Sequence, residues 1–374
     1  RSVGAKILVS GGGRCNVTNR RVGPRDFHGE GQGALGRILA GFDVEATISF
    51  FHEIGVPLRE EENGKLFPRS GRARTVLDGL LAETRRLDVE VRTGTRVERI
   101  ERGPEGFRLH TPRETLAVER VVLATGGRSL PKTGSDGAGY ALASSLGHNV
   151  TPQSPALVPL VLAAGFHHGL SGVAVEVELV ARLRAKALRL RGPLLFTHFG
   201  VSGPVVLDAS RHWCQAEAAG LPCELGVSFL PGMDFRAAEE WLLEGARTNP
   251  SALLRARLSE RMPASVAAAL IAREGMADDT RLGRLTRDAR RRLLSGALKW
   301  TLPVRESRGY NVAEVTAGGV PLVEVDPATM ESRRAPGLFL VGEILDVDGR
   351  LGGFNFQWAW SSAWTAAGGL SRSV

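Results

Sequence analysis

The sequence is poor in cysteine, and its few cysteines lie far apart. Cys15, Cys214 and Cys223 form no CxxC pair in the 374 residues. A disulfide framework needs a clustered, even set of cysteines, and a zinc knot needs paired thiols. We therefore expect neither a disulfide scaffold nor a metal site, and a reducing cytoplasm fits this chain best.

The sequence also lacks a long apolar run. No uninterrupted stretch reaches the roughly 18 apolar residues that a membrane-spanning helix needs, and no charged-then-apolar leader opens it. The composition, 43% hydrophobic and 24% charged, is ordinary for a globular protein of two or three domains. We expect a soluble, unexported cytoplasmic protein with no membrane partner.

Lysine is scarce, so nearly all of the positive charge is carried by arginine. Lys and Arg together number 48 against 40 Asp and Glu, which gives a net charge of +8. Arginine binds phosphate oxygens in a forked geometry, so RNA or another polyanion is a candidate partner. Codon usage in a GC-rich genome explains the same bias without any partner.

A glycine-rich loop follows the first short apolar run, ILVSGGGRCNVTN. We expect a strand over Lys6–Val9 and a ligand-binding loop over Gly11–Asn19, because consecutive glycines permit positive φ and close backbone approach. Arg14 would favour the thiolate of Cys15, which makes this cysteine a candidate redox or acid–base group. The alternative is a small buried spacer.

The predicted secondary structure changes several times along the rest of the chain. The spacing of apolar residues predicts helices over Phe42–Ile54, from Ser70 to Arg86, and over Tyr140–Leu146. Alternating and continuous apolar runs predict strands between residues 89 and 124, in a parallel sheet. After Thr151 we expect several strands separated by prolines, with no helix between them. Residues 234–298 are predicted to be helical. Strands return over 301–316, and the sequence ends in strand, loop and helix.

Three glycine-bearing elements each follow an apolar run: Gly11–Asn19, Ala124–Gly127 and Gly342–Asn355. In open α/β sheets ligands bind beyond the carboxyl ends of strands, so these elements can converge on one elongated ligand. For the third element, the alternative to a ligand-binding loop is an ordinary loop before the last helix, with glycines that only serve the turn. Asn355, Gln357 and the tryptophans that follow would either rim a heterocycle or fill the core.

Successive blocks of the sequence resemble one family. They are KILVSGGGRCNVTN, KLFPRSGRARTVLDGL, VVLATGGRSLPKTGSDGAGYALASSLGH, PALVPL, LLFTHFGVSGPVVLDAS and RGYNVAEVTAGGVPLVEVDPATMESRRAPGLFLVGEILDVDGRLGGFNFQWAWSSA. The family is the aminoacetone oxidase family of FAD-binding proteins, the NAD(P)/FAD-dependent oxidoreductases of the BaiN/RdsA type. The resemblance covers almost the whole chain, with the blocks in the family's order.

The resemblance implies an α/β fold in which a Rossmann-like FAD-binding domain is interrupted by a β-barrel-like domain carrying a helical subdomain. We place the FAD-binding domain at residues 1–150 and 318–374, the β-rich domain at 151–233 and 299–317, and the helical subdomain at 234–298. Members of the family begin with a βαβ unit that carries GxGxxG. This unit would lie upstream of Arg1 and is apparently missing.

The resemblance also implies which residues bind FAD. Transferred by motif, they are Gly12, Gly13, Arg14, Cys15, Asn16, Thr125, Gly126, Gly127, Gly342, Glu343, Asp348, Gly352, Gly353 and Asn355. Cys15 is also a candidate catalytic residue beside the flavin. His198, which precedes two glycines at a strand end, is a candidate proton donor or a structural histidine.

Three functions are compatible with the sequence. The first is an FAD-dependent oxidoreductase that reduces a uridine in ribosomal RNA to dihydrouridine, with NAD(P)H as candidate electron donor and the arginines at 287, 290, 291 and 292 as the RNA contact. The second is a small-molecule flavoenzyme, such as an aminoacetone or amine oxidase or an enone reductase. The third is a truncated, non-enzymatic RNA-binding remnant.

Overall fold

The computed structural model describes residues 3–163, 165–183 and 186–372. It divides into two compact units, the first formed by Arg1–Pro155 and Tyr310–Val374 and the second by Ala156–Gly309. The division into functional domains made from the sequence stays a prediction.

The helices, in chain order, are α1 (Ala5–Val9), α2 (Gln32–Gly41), α3 (Val44–Glu53), α4 (Ala73–Arg86), α5 (Ala138–Ser145), α6 (Pro204–Ala218), α7 (Phe235–Thr248), α8 (Leu254–Ser259), α9 (Ala264–Arg273), α10 (Arg287–Leu298) and α11 (Phe354–Arg372).

The strands are β1 (Thr18–Asn19), β2 (Phe27–His28), β3 (Leu58–Glu60), β4 (Lys65–Pro68), β5 (Arg99–Gly103), β6 (Gly106–His110), β7 (Thr115–Val118), β8 (Val121–Leu123), β9 (Ser154–Ala156), β10 (Leu160–Leu162), β11 (Ala174–Leu183), β12 (Lys186–Thr197), β13 (Gly200–Ser202), β14 (Cys223–Ser228), β15 (Trp300–Thr301), β16 (Val304–Ser307), β17 (Val315–Ala317), β18 (Leu338–Leu340) and β19 (Asp348–Gly349).

The first unit is built around the parallel pair β8 and β18. Leu123 and Leu340 are buried in its core, together with Trp358 of α11. Val122, in contrast, is 40% exposed, so β8 is buried on one face only. The other sheets of this unit that we describe, β1-β4-β3, β5-β6-β7 and β19-β2, are antiparallel. The pair β8 and β18 positions the candidate site, because both strands end at glycine-bearing loops.

The second unit contains a sheet in the order β15-β14-β11-β12-β13-β10-β16. Its neighbours are antiparallel, and the long hairpin of β11 and β12 forms its centre. No sheet among the described strands closes into a barrel, so the β-barrel-like domain is not confirmed. Helices α7 to α10 fill the region predicted to be helical, but they belong to the same compact unit as the sheet. A separate helical subdomain is therefore not confirmed either.

Two local predictions are wrong. Residues 5–9 form α1 instead of a strand, because a short apolar run carries no period that separates helix from strand; α1 packs against α4, and a Cβ at Gly4 would lie 2.2 Å from Leu77. Residues 204–218 form α6 in a region where we expected strands alone. Pro204 at its first position and buried residues at helical spacing were the available signals.

Other helices lie where the sequence predicts them. Asp43 caps α3 by accepting a hydrogen bond from the Ala46 amide at 2.9 Å, and α4 and α11 lie within the predicted regions. Helix α5 begins two residues before its predicted start. Caps of this kind satisfy backbone amides that have no partner inside the helix. Helix α2 lies in a glycine-rich segment for which we predicted no helix. No helix in the described residues is both long enough and apolar enough to cross a bilayer.

Candidate functional site

The carboxylate of Glu343 joins distant segments of the first unit. Its Oε2 lies 2.9 Å from Lys6 Nζ, and its Oε1 accepts hydrogen bonds from Ser129 Oγ and the Thr316 amide, both at 2.9 Å. The side chains of Lys6 and Glu343 are only 28% and 17% exposed. We call Lys6, Ser129, Thr316 and Glu343 the carboxylate hub.

The turn after β8 fits closely against this hub. A Cβ at Gly127 would lie 2.4 Å from Thr316 Oγ1 and 2.7 Å from Glu343 Oε1, distances at which atoms overlap. Thr316 Oγ1 in turn accepts hydrogen bonds from the amides of Arg128 and Ser129. Glycine at 127 is therefore required for the second glycine-bearing element to reach the third. Thr125 and Gly126 lie just before it, with Gly126 at φ 69°.

The first glycine-bearing element has a left-handed backbone. Gly11, Gly12 and Gly13 have φ of 55°, 67° and 82°, and Cys15 has φ of 59°. All three glycines are exposed, and a Cβ at Gly12 would meet no atom within 4 Å. Open space beside an exposed glycine backbone is what a flat or anionic ligand requires.

Hydrogen bonds attach the first element to the third. Asn19 Nδ2 donates to Gly352 O at 3.0 Å, and Thr18 Oγ1 donates to Gln357 Oε1 at 2.5 Å. Gly353 lies so close to Thr18 that a Cβ would come within 2.6 Å of its backbone. The structure therefore brings together all three glycine-bearing elements, as the sequence predicts. Their roles in cofactor binding stay predictions.

Among the predicted site residues, Asn16 has a buried side-chain oxygen that no described group satisfies. Its Oδ1 is buried and has no hydrogen-bond partner among the described residues. This oxygen faces Gly353, since a Cβ placed there would be 3.0 Å from it. Buried acceptors without a donor are rare in folded proteins and call for an explanation such as a bound ligand.

The third element places its polar residues differently. The side chain of Asn355 forms two hydrogen bonds within its own loop. Its Nδ2 donates to Gly349 O and its Oδ1 accepts from the Gly349 amide, both at 2.8 Å. Asp348 is buried in β19. Trp358 is also buried and donates to Gly342 O at 3.0 Å, and Gln357 bonds Phe42 O. The core interpretation therefore holds for Gln357 and Trp358.

Of the two interpretations of Cys15, the structure favours the small buried residue over the thiolate. Burial raises the pKa of Cys15 to about 11, which outweighs a hydrogen bond with Ser10, and the side chain is fully buried. Arg14 does not offset this, because its guanidinium pairs with Glu61 at 2.9 Å and lies over the Phe67 ring. Cys15 is a neutral thiol at pH 7.

His198, the other catalytic candidate, belongs to the second unit, whereas Cys15 belongs to the first. It lies exposed in the turn between β12 and β13, with its ring 5.1 Å from that of Phe199. Its catalytic role stays a prediction. In the described part of the chain, no group of three or more His, Cys, Asp or Glu side chains is arranged to hold a metal ion.

The residues present fit the FAD that the resemblance implies. The unsatisfied Asn16 oxygen is an acceptor for an N–H group such as the flavin ring carries, and the open glycine backbone offers donors to oxygen-rich parts of the cofactor. Gly352 and Gly353 precede α11, and the first amides of a helix are donors without partners inside the helix. Each of these features belongs to the first unit.

The sequence analysis did not single out Lys6, Ser129 or Thr316, although each lies inside a block that carries the resemblance. It also missed a GxGxxG spacing at GQGALG, residues 31–36. That spacing opens α2, but the preceding strand β2 is two residues long and pairs antiparallel with β19. A dinucleotide fingerprint requires a parallel βαβ unit instead.

Comparison with known proteins places this chain in a family. The model of the HI0933-like protein Rossmann domain matches residues 1–369. The chain is 34% identical, over 98% of its length and 89% of the relative, to the 3-dehydro-bile acid delta(4,6)-reductase of Clostridium scindens. It is 35% identical to the ribosomal RNA dihydrouridine synthase of Escherichia coli, over 97% of this chain and 88% of the relative.

A third relative is the ribosomal RNA dihydrouridine synthase of Haemophilus influenzae, 32% identical over 100% of this chain and 91% of the relative. The resemblance found in the sequence is thereby confirmed, and so is the expectation of an oxidoreductase over a non-enzymatic remnant. The chain belongs to the HI0933-like Rossmann family and is an FAD-dependent oxidoreductase.

Proposed function

We propose that this protein reduces a uridine in ribosomal RNA to dihydrouridine, with NAD(P)H as the electron donor. The observation that carries the proposal is similarity over nearly the full chain to two relatives named ribosomal RNA dihydrouridine synthase. The net charge of +8 supports a polyanionic substrate.

Helix α10 supplies a basic surface suited to such a substrate. Arg287, Arg291 and Arg292 are exposed, and no carboxylate lies within 4 Å of their guanidinium groups among the described residues. Arg290 differs, because it is 14% exposed and pairs with Glu239 at 3.0 Å. Of the four arginines expected to contact RNA, three are therefore available.

The reaction adds two hydrogens across a carbon–carbon double bond that is conjugated to a carbonyl group, which leaves a single bond. A hydride goes to the carbon β to the carbonyl and a proton to the α carbon. A bound FAD that a nicotinamide has reduced would supply the hydride. The chain must supply or relay the proton.

Cys15 is our candidate proton donor. Burial raises the pKa of Cys15 to about 11, so the thiol carries a proton throughout the neutral range, but it is a weaker acid there than a group whose pKa lies near the working pH. Arg14 and Asn16 flank it in the element expected to lie by the flavin. The same protonation state makes Cys15 a poor nucleophile, so we do not assign it covalent chemistry.

The substrate test compares the two reactions named in the relatives. Purified chain with FAD and NADPH or NADH is incubated with unmodified ribosomal RNA, and dihydrouridine is measured by mass spectrometry of the digested nucleosides. A 3-keto-4,6-diene bile acid is tested in parallel. We expect dihydrouridine to form. Reduction of the steroid with no change in the RNA would refute our substrate and favour the small-molecule reductase.

Asn16→Ala should separate cofactor binding from stability. The variant removes an acceptor that no described protein group uses, so we expect FAD affinity to fall roughly ten-fold while the unfolding midpoint stays level or rises. Asn19→Ala is the matched control, since its amide bonds Gly352 and Asn63 at 3.0 and 3.1 Å. It should lose about 1–2 kcal/mol of stability.

FAD titration by fluorescence quenching and thermal unfolding read out both variants. If Asn16→Ala bound FAD as tightly as the unaltered chain, Asn16 would have no part in the cofactor site.

Cys15→Ala should lower turnover without releasing FAD, and Cys15→Ser should retain part of it, because a hydroxyl can still donate a proton. Burial also raises the pKa of Cys214, to about 12, so Cys214→Ala is the control for loss of a buried thiol and should leave turnover unchanged. Because the thiol is neutral below its pKa, its titration should produce no fall in turnover between pH 6 and 9 (roughly two units below that pKa or more). Equal turnover for Cys15→Ala and the unaltered chain would rule out this proton donor.

A further inference from the structure

A cavity of about 460 Å³ opens in the second unit. It lies against β11, β12 and β14, between the start of α7 and the end of α10. Its size falls within the range of small-ligand sites in proteins, about 300–1,000 Å³. None of its lining residues belongs to the elements that form the candidate FAD site.

The cavity combines apolar and aromatic surface with cations. Val180, Met233, Phe235 and Leu298 line it and are half-buried, and Lys299 lies at its edge on the α10 side. Two further cations in the lining are already neutralised, since Arg189 pairs with Glu178 at 2.6 Å and Arg182 with Glu224 at 2.8 Å. The unpaired positive charge of the lining therefore lies where α10 ends, and the carboxylate of Asp234, which caps α7, also lines the cavity.

An exposed row on α10 leads to this cavity. Arg287, Arg291 and Ser295 are spaced four residues apart on α10, so they lie on successive turns of the helix. Lys299 extends this row at the residue that ends the helix, and all four side chains are exposed. Ser295 and Lys299 line the cavity. Within the described residues, none of the three cations in the row has a carboxylate within 4 Å.

We propose that this cavity holds one unstacked base of a single-stranded RNA segment whose phosphates follow the row from Arg287 to Lys299. This rests on the proposed RNA substrate and adds a binding site to it. Proteins that hold single strands combine a cationic track with aromatic rings on which bases stack. Phe235 supplies the ring, and the unpaired cations of α10 supply the track.

Fluorescence anisotropy of a labelled, uridine-rich single-stranded RNA measures the contribution of each part. Phe235→Leu keeps an apolar side chain but removes the ring, so we expect roughly ten-fold weaker binding with the same salt dependence. Phe235→Tyr keeps the ring and should bind normally. A fully paired RNA duplex, which offers no unstacked base, should bind equally to all three proteins.

The double variant Arg287→Gln/Arg291→Gln tests the track. Loss of two phosphate contacts should reduce the slope of log affinity against log salt by about 1.4. Arg85→Gln/Arg113→Gln, which removes two exposed arginines of the first unit, changes the net charge equally and should leave the slope as it was. Circular dichroism during thermal unfolding confirms that every variant is folded.

Several outcomes would overturn the proposal. If Phe235→Leu binds single strands as the unaltered chain does, the cavity holds no base, and if the two double variants behave alike, α10 is not the track. Either result together with normal dihydrouridine formation would contradict this site alone and leave the proposed function standing. Absence of any RNA binding would contradict both. Equal binding of polyglutamate would show that the row is a surface for acidic proteins.

Discussion

The first unit depends on how the partly buried carboxylate of Glu343 is satisfied. A carboxylate removed from water is costly unless charge and hydrogen bonds replace its hydration. Lys6, Ser129 and the Thr316 amide provide that replacement from three separate segments. One acidic side chain at the end of β18 thereby fixes α1, the turn after β8 and β17 relative to one another. Gly127 is required at the same place because any side chain would occupy the space of the carboxylate and of Thr316.

This arrangement separates residues that shape the site from residues that are left to bind a ligand. Glu343, Asn355 and Arg14 were all expected to contact the flavin, yet each has protein partners: the carboxylate hub, Gly349 and Glu61 respectively. In contrast, no described protein group occupies the Asn16 side-chain oxygen or the space beside the Gly12 backbone, so a ligand can use both. The second unit carries a different kind of surface, in which the exposed row of α10 leads to an aromatic cavity. In the functions proposed above, cofactor chemistry and polyanion binding therefore belong to different units.

The features that could be predicted from the sequence are those that depend on residues close together in the chain. The meeting of three glycine-bearing elements followed from strand ends and glycine spacing, and the basic helix followed from its arginines. Features that depend on distant partners were not predictable. Nothing near Lys6 indicates that it pairs with Glu343, 337 residues away, and nothing near Cys15 indicates that burial outweighs the neighbouring arginine. Helices α1 and α6 were mistaken for strands because short β-branched runs suit either structure until packing decides between them.

The most direct test of the carboxylate hub is a double-mutant cycle on the dissociation constant of FAD, using Lys6→Met, Glu343→Gln and the double variant. If Lys6 and Glu343 shape the site by binding each other, the double variant should be little worse than Glu343→Gln alone, with a coupling energy of about 1 kcal/mol or more. Strictly additive losses would show that the two side chains act independently on the cofactor, and the hub would not be what organises the site.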